Sequence, residues 1–191
     1  KSHESIYDVT NADASKLRQK SANTYYGGHF GGMYFADQNE GAFGFGVNMV
    51  WDNSSYFGEI DGSMYLIGNG LTSMTSASIA LYKPTSDYDQ SFYYGGGFHM
   101  ASYSFMKDVG ASEGSNSYYD GCNYSDEEKN GRCYTTESTA LALLQGSVGY
   151  IIGRASTVNT RVQSDLKIGL ATVGGDLPIS LGFKVIVGFK N

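Results

Sequence analysis

The stretch "FHMASYSF" sets His99 three residues before Ser102, and Glu137 follows later in the chain. These are the residue types of a base, a nucleophile and an orienting acid, and acyl transfer is the chemistry they would serve. The spacing defeats it. On an extended strand, side chains three apart point to opposite faces, so His99 and Ser102 cannot approach within the ~3 Å that proton transfer requires. No catalytic residue is assigned, and His99 is expected as a hydrogen-bonded side chain inside the fold or at its rim. Glu59, Asp61 and Asp165 offer a second chemistry, the paired carboxylates of glycoside cleavage. Lys167 and Lys184 share their phase, however, and a buried network of mixed sign is the better expectation.

Two cysteines, Cys122 and Cys133, lie in "YYDGCNYSDEEKNGRCYTT". Two thiolates cannot complete a tetrahedral zinc site, and His3, His29 and His99 are remote in sequence. A disulfide between the two cysteines is expected, with the oxidising compartment that implies. The acidic run "NYSDEEKNG" lacks the alternate-oxygen spacing of a calcium loop, so no metal or cofactor is expected. Glycosylation sequons begin at Asn53 and Asn123, which is a weak signal.

These residues must be positioned by strands. The chain has 191 residues, 26 of them glycine, 16 tyrosine and only 2 proline, a composition suited to strands joined by turns. Its net charge of −6 argues against a nucleic-acid partner. No run of ~18 apolar residues exists to form a membrane-spanning helix. Residues 1–23 are polar and read as an N-terminal extension; residues 24–191 read as a single β domain. From Thr24 onward, eight segments alternate apolar side chains with polar ones or glycine. "AFGFGVNMVW" is the cleanest, with Phe43, Phe45, Val47, Met49 and Trp51 on one face and Gly44, Gly46 and Asn48 on the other. In the last, "ISLGFKVIVGFKN", Leu181, Phe183, Val185, Val187 and Phe189 oppose Gly182, Lys184, Ile186 and Gly188. Both faces of the first segment mix glycine with aromatics. A long polar loop, residues 107–134, separates the fifth segment from the sixth.

Alternation alone suits two folds. A soluble lipocalin-like barrel turns its apolar face inward, whereas a membrane barrel turns it to lipid. Three features favour the membrane. The row from Phe43 to Trp51 spans about 27 Å at ~3.4 Å per residue, enough to cross a bilayer when tilted. Aromatics sit near the row ends, at Phe43, Trp51, Tyr150, Phe183 and Phe189, where an interfacial girdle would lie. The opposite face is rich in glycine and serine and carries Glu59, Asp61, Asp165, Lys167 and Lys184, as a narrow lumen would require. Eight antiparallel strands also leave both termini at one end and put the fifth connection, the cysteine loop, at the other.

On these residues the chain resembles the small outer-membrane β-barrels of the outer membrane protein X and outer membrane protein A transmembrane-domain type. The terminal row ending at Phe189 is similar to the aromatic assembly signal of that class, although Lys190 and Asn191 follow it here. The resemblance implies an all-β, eight-stranded, antiparallel up-and-down transmembrane barrel. It would be a monomer in a Gram-negative outer membrane, with both termini periplasmic, in contact with lipid and lipopolysaccharide. Lipid A deacylases of this class carry histidine and serine two apart on one strand, which "FHMASYSF" does not reproduce, so an enzyme is not expected. The expected role is structural or surface-interacting, with a packed, charged lumen and loop 107–134 facing a cell-surface partner. A narrow pore, or a barrel that transports or binds a small ligand, is the alternative. A soluble lipocalin-like binder and a lipid A-modifying enzyme stand further off.

Overall fold

The computed structural model describes residues 22–36, 40–67, 72–111, 127–129, 132–172 and 177–191; at 67, 72, 105–111, 127–129 and 132–137 it describes the backbone alone. The expected N-terminal extension lies almost entirely outside these residues. No helix occurs among them. The strands are β1 (Asn23–Phe35), β2 (Glu40–Asp52), β3 (Phe57–Ile67), β4 (Thr72–Pro84), β5 (Ser91–Ala111), β6 (Glu127–Lys129), β7 (Arg132–Ile152), β8 (Val158–Gly169) and β9 (Ile179–Lys190). Eight of them, all but the three-residue β6, pair antiparallel in chain order. The wall closes where β1 meets β9, from Tyr25↔Lys190 to Phe35↔Ser180. Closure leaves no unpaired wall edge, the condition for a sheet to stand in a bilayer.

The alternation sorts inside from outside as one period-two pattern around the wall. Phe43, Phe45, Val47, Ile60, Leu81, Phe98, Met100, Val148, Leu181 and Phe183 are exposed on the outer surface. Charged and polar side chains of the opposite phase are buried within. On β1 the inward set is Tyr25, His29, Met33 and Phe35, and the outward set is Tyr26, Phe30 and Tyr34. Small residues make room for this filling: a Cβ added to Gly46 would lie 2.7 Å from Nε2 of His29.

Tight turns join the strands at the end that holds both termini. Gly153 adopts φ +79°, a left-handed conformation that glycine takes without steric cost. Ser54 also has positive φ, and Asp52 Oδ1 holds it by accepting its backbone N–H at 2.9 Å.

At the opposite end the structure corrects one expectation. The segment 107–134 is not wholly a loop. β5 and β7 are each 21 residues long, against 11 to 13 for the other wall strands. They remain paired as far as Ala111↔Arg132, with a register shift between Asp108 and Gly110. The last β5 partner on β4 is Ser104, and the last β7 partner on β8 is Leu143. Past Ser104, therefore, β5 and β7 stand clear of the wall for roughly 24 Å at ~3.4 Å per residue. β6 adds a third strand through Glu127↔Tyr134 to Lys129↔Arg132. Backbone pairing continues here without the alternation that marks the wall.

Candidate functional site: the filled lumen

The interior is built in layers. Nearest the termini, Arg154 in the β7–β8 turn reaches across the mouth and is fully buried. Its Nε and Nη2 donate to Asp52 Oδ2 and Oδ1, both at 2.7 Å, a bidentate fork. Nη2 also donates to the carbonyl of Ser54 at 2.7 Å, and Nη1 to that of Ser86 at 3.0 Å. One side chain thus ties three turns together. Asp89 supports it by accepting the backbone N–H groups of Gly153 at 3.1 Å and Ala155 at 2.8 Å. Tyr25 Oη donates to the Arg154 carbonyl at 2.6 Å.

Above this clasp lies an apolar layer that includes Val50, Phe57, Tyr82, Tyr93 and Ile151. The rings of Phe57, Tyr82 and Tyr93 meet pairwise with centroids 5.0 to 5.4 Å apart. The polar tips of the two tyrosines serve the next layer. Tyr93 Oη donates to Gln163 Oε1 at 2.9 Å, and Gln163 Nε2 donates to Tyr82 Oη at 3.1 Å.

The middle layer is a belt of charge. Among the described residues it contains three carboxylates, Glu59, Asp61 and Asp165, and three cations, Arg161, Lys167 and Lys184, all buried. Glu59 accepts from both Arg161 Nη1 and Lys184 Nζ, the latter at 3.1 Å. Arg161 stacks over the Phe57 ring at 5.5 Å, and its Nη2 reaches Asn48 at 2.6 Å when that amide is turned oxygen-first. Lys184 Nζ is also 3.7 Å from Asp61 Oδ2. Asp165 accepts from Gln163 at 2.6 Å and Gln145 at 3.3 Å, while Lys167 Nζ stays 3.9 Å away from it. Equal numbers of opposite charges make such a belt tolerable in a low-dielectric interior, where an unpaired ion would not be.

Within the belt, His29, Asp61 and Ser63 are the atoms of a hydrolase triad. Ser63 Oγ is 3.1 Å from His29 Nε2, and His29 Nδ1 is 3.0 Å from Asp61 Oδ2. The geometry works against nucleophilic use. Ser63 donates to Asp61 Oδ1 at 2.6 Å, so its proton faces the acid, not the base. All three side chains are buried. The trio serves to anchor Asp61. As for the other candidate pair, His99 is buried in the lumen while Ser102 is exposed on the outer face.

A second apolar layer, including Met33, Phe35, Tyr65, Met74, Tyr103 and Leu143, closes the lumen toward the β5–β7 end. On the outer surface, Phe43 and Phe183 lie nearer that end, and Trp51, Tyr150 and Phe189 nearer the termini. The Trp51 ring lies across Gly58. Tyr150 packs edge-on against Phe92 with centroids 4.8 Å apart and donates to Gln90 at 3.2 Å. Cys122 and the side chains of Cys133 and Glu137 fall outside the described residues, and so does the expected disulfide. No cluster of three or more metal-ligating side chains occurs among the described residues.

Sequence phase marked Glu59, Asp61, Asp165, Lys167 and Lys184. It passed over Arg161, although "NTRVQSDLK" gives Arg161 the same phase as Gln163, Asp165 and Lys167. It also passed over His29, on the strand with two mixed faces, and Arg154, which reads as an ordinary turn residue.

A closed, all-antiparallel barrel of eight strands, apolar outside and polar within, is the fold of the small outer-membrane β-barrels. Solved structures that share it include the following three. The Neisserial surface protein A is 8% identical, with a TM-score of 0.59 over 89% of this chain and 97% of that one. The N-terminal β-barrel domain of Pseudomonas aeruginosa OprF is 11% identical, with a TM-score of 0.53 over 90% of this chain and all of that one. Ail, the attachment invasion locus protein of Yersinia pestis, is 10% identical, with a TM-score of 0.50 over 89% of this chain and 97% of that one. No family model and no curated sequence matches the chain.

Proposed function

We propose that the protein is a monomeric barrel of a Gram-negative outer membrane with a structural or surface-interaction role, and that it is neither a pore nor an enzyme. The observation that carries this reading is the charge belt enclosed between two apolar layers, within a wall whose outer surface is apolar. A filled lumen suits an anchor and leaves contact with the surroundings to the structure that rises beyond the wall. Both termini and the Arg154 clasp face the periplasm in this reading, and the β5–β7 hairpin faces outward, because outer-membrane barrels carry their longer connections outside. Phe43, Trp51, Tyr150, Phe183 and Phe189 serve as the aromatic girdle against lipid and lipopolysaccharide. Cys122 and Cys133 join in a disulfide beyond the wall, narrowing the shapes the hairpin tip offers a cell-surface partner. The name of Ail, an attachment invasion locus protein, accords with a surface role on this fold.

Protease added to intact cells tests the orientation. Cleavage between β5 and β7, leaving a membrane-embedded barrel, is expected. Cleavage only after the outer membrane is broken would reverse the topology. A detergent-folded sample is further expected to migrate differently before and after heating; a chain that folds in water without detergent would instead be a lipocalin-like binder.

A further inference from the structure

We infer that the lumen holds an internal water site beside His99, shared with Ser76 and with the Lys167–Asp165 pair. The inference goes beyond the surface role and does not depend on it. His99 lies on β5 with its side chain buried, 2% exposed. Among the described residues neither ring nitrogen has a hydrogen-bond partner, and Ser76 Oγ on the neighbouring strand is buried without one as well. Register places the two together: His99 pairs with Ser78 across the β4–β5 ladder, and Ser76 is the next inward residue on β4. Across the β5–β7–β8 ladder His99 shares a rung with Leu143 and Gly169, and Lys167 is the next inward residue on β8.

Lys167 approaches from β8. Its Nζ is 3.9 Å from Asp165 Oδ2, too far for a direct hydrogen bond and the right separation for a bridging water. A neutral imidazole has one donor and one acceptor, a hydroxyl has both, and an ammonium has three donors. Buried groups of this kind are almost always hydrogen-bonded, and a buried water makes two to four such bonds. Small residues, Ser76 and Ser78, face His99 from β4. The opposite side of the belt, where Glu59 is engaged directly by Arg161 and Lys184, leaves no such deficit on that carboxylate. Water is therefore placed on the β4–β5 side of the belt, beside His99 and Ser76.

The sign of one substitution separates a hydrated His99 from a dry one. In a dry lumen, His99→Phe removes two orphaned polar atoms and raises the melting temperature. In a hydrated one, it takes a partner from waters that also solvate Lys167, and the melting temperature falls. A fall is expected, with His99→Gln staying near the parent because it keeps a donor and an acceptor. In the detergent-folded parent, NMR magnetisation transfer from water to the His99 ring protons is expected, with loss of water contacts at the Ser76 amide in His99→Phe. Absence of water transfer to the parent ring, or a His99→Phe variant that melts at the parent temperature or above it, would overturn the site. If His99→Phe fails to give a heat-modifiable folded form, the measurement on the parent decides alone.

Discussion

At the scale of single residues, Glu59 is where the belt converges. Among the described carboxylates it is the one that accepts hydrogen bonds from two cationic side chains, Arg161 on β8 and Lys184 on β9. Glu59→Gln leaves both cations without their anion, and removing one partner of a buried pair costs about 3–5 kcal/mol. Lys184→Met removes one cation but leaves Glu59 with Arg161, so its cost should be smaller. Urea titration of the detergent-folded barrel is expected to rank them parent, Lys184→Met, Glu59→Gln in falling stability; equal midpoints for all three would mean that solvent already screens the belt. Ser63 tests the reading of the triad-like trio. Its proton is directed at Asp61, and apolar layers stand above and below it, so a fluorophosphonate probe should leave the folded protein unlabelled. Labelling that vanishes in both Ser63→Ala and His29→Ala would make the trio a working nucleophile.

At the scale of elements, the wall and the hairpin obey different rules, and the sequence reports them unequally. A wall strand meets lipid on one face and a packed lumen on the other, so its residues must alternate. That is why Phe43–Trp51 and Leu181–Phe189 can be read from sequence as outward rows. The same constraint exposes Lys184 and Asp165 as inward residues. β1 is less legible because Gly28 and Gly32 interrupt its outward face while Gly27 and Gly31 interrupt its inward one, which hides His29. Arg154 is invisible for another reason: turns have no phase, and its partners, Asp52, Ser54 and Ser86, become neighbours only when the barrel closes. Beyond Ser104, β5 is held by β7 alone, and backbone pairing imposes no side-chain pattern that a sequence reading could detect. The hairpin should accordingly be dispensable to the wall. Ser104 and Ser138 are paired, so joining them through an Asn-Gly turn shortens the hairpin with its register kept. The shortened chain is expected to fold to a heat-modifiable barrel with its unfolding free energy from urea titration within about 0.5 kcal/mol of the parent, the scale of a surface change. Failure to fold would make the hairpin part of the wall's own stability.

At the scale of the whole molecule, the order of the layers decides what can cross it. A path along the axis would pass the Arg154 clasp, the Phe57–Tyr82–Tyr93 layer, the charge belt and then the layer containing Met33 and Met74. Charge alone does not block ions, since polar lumens conduct in larger barrels. The apolar layers do block them, because a dry constriction strips an ion of water and offers it nothing in exchange. The intact protein should therefore give no steady conductance in planar bilayers. The two barriers are not equivalent. The one near the termini is aromatic, with Tyr93 set edge-on against Phe57 and Tyr82, and is backed by a bidentate ion pair, so truncation there threatens the fold. The one near the hairpin includes two flexible methionines, whose truncation leaves space without breaking a polar network. Met33→Ala combined with Met74→Ala should join the belt to the outer mouth while the termini end stays shut. Folding should survive at a cost of about 2–5 kcal/mol for each truncation, and steady conductance should still be absent. Adding Tyr93→Ala should then open brief currents in whatever fraction remains folded. Steady conductance from the double methionine variant alone would show that the aromatic layer and the clasp do not seal the second end, and the narrow-pore reading would replace that of a filled anchor.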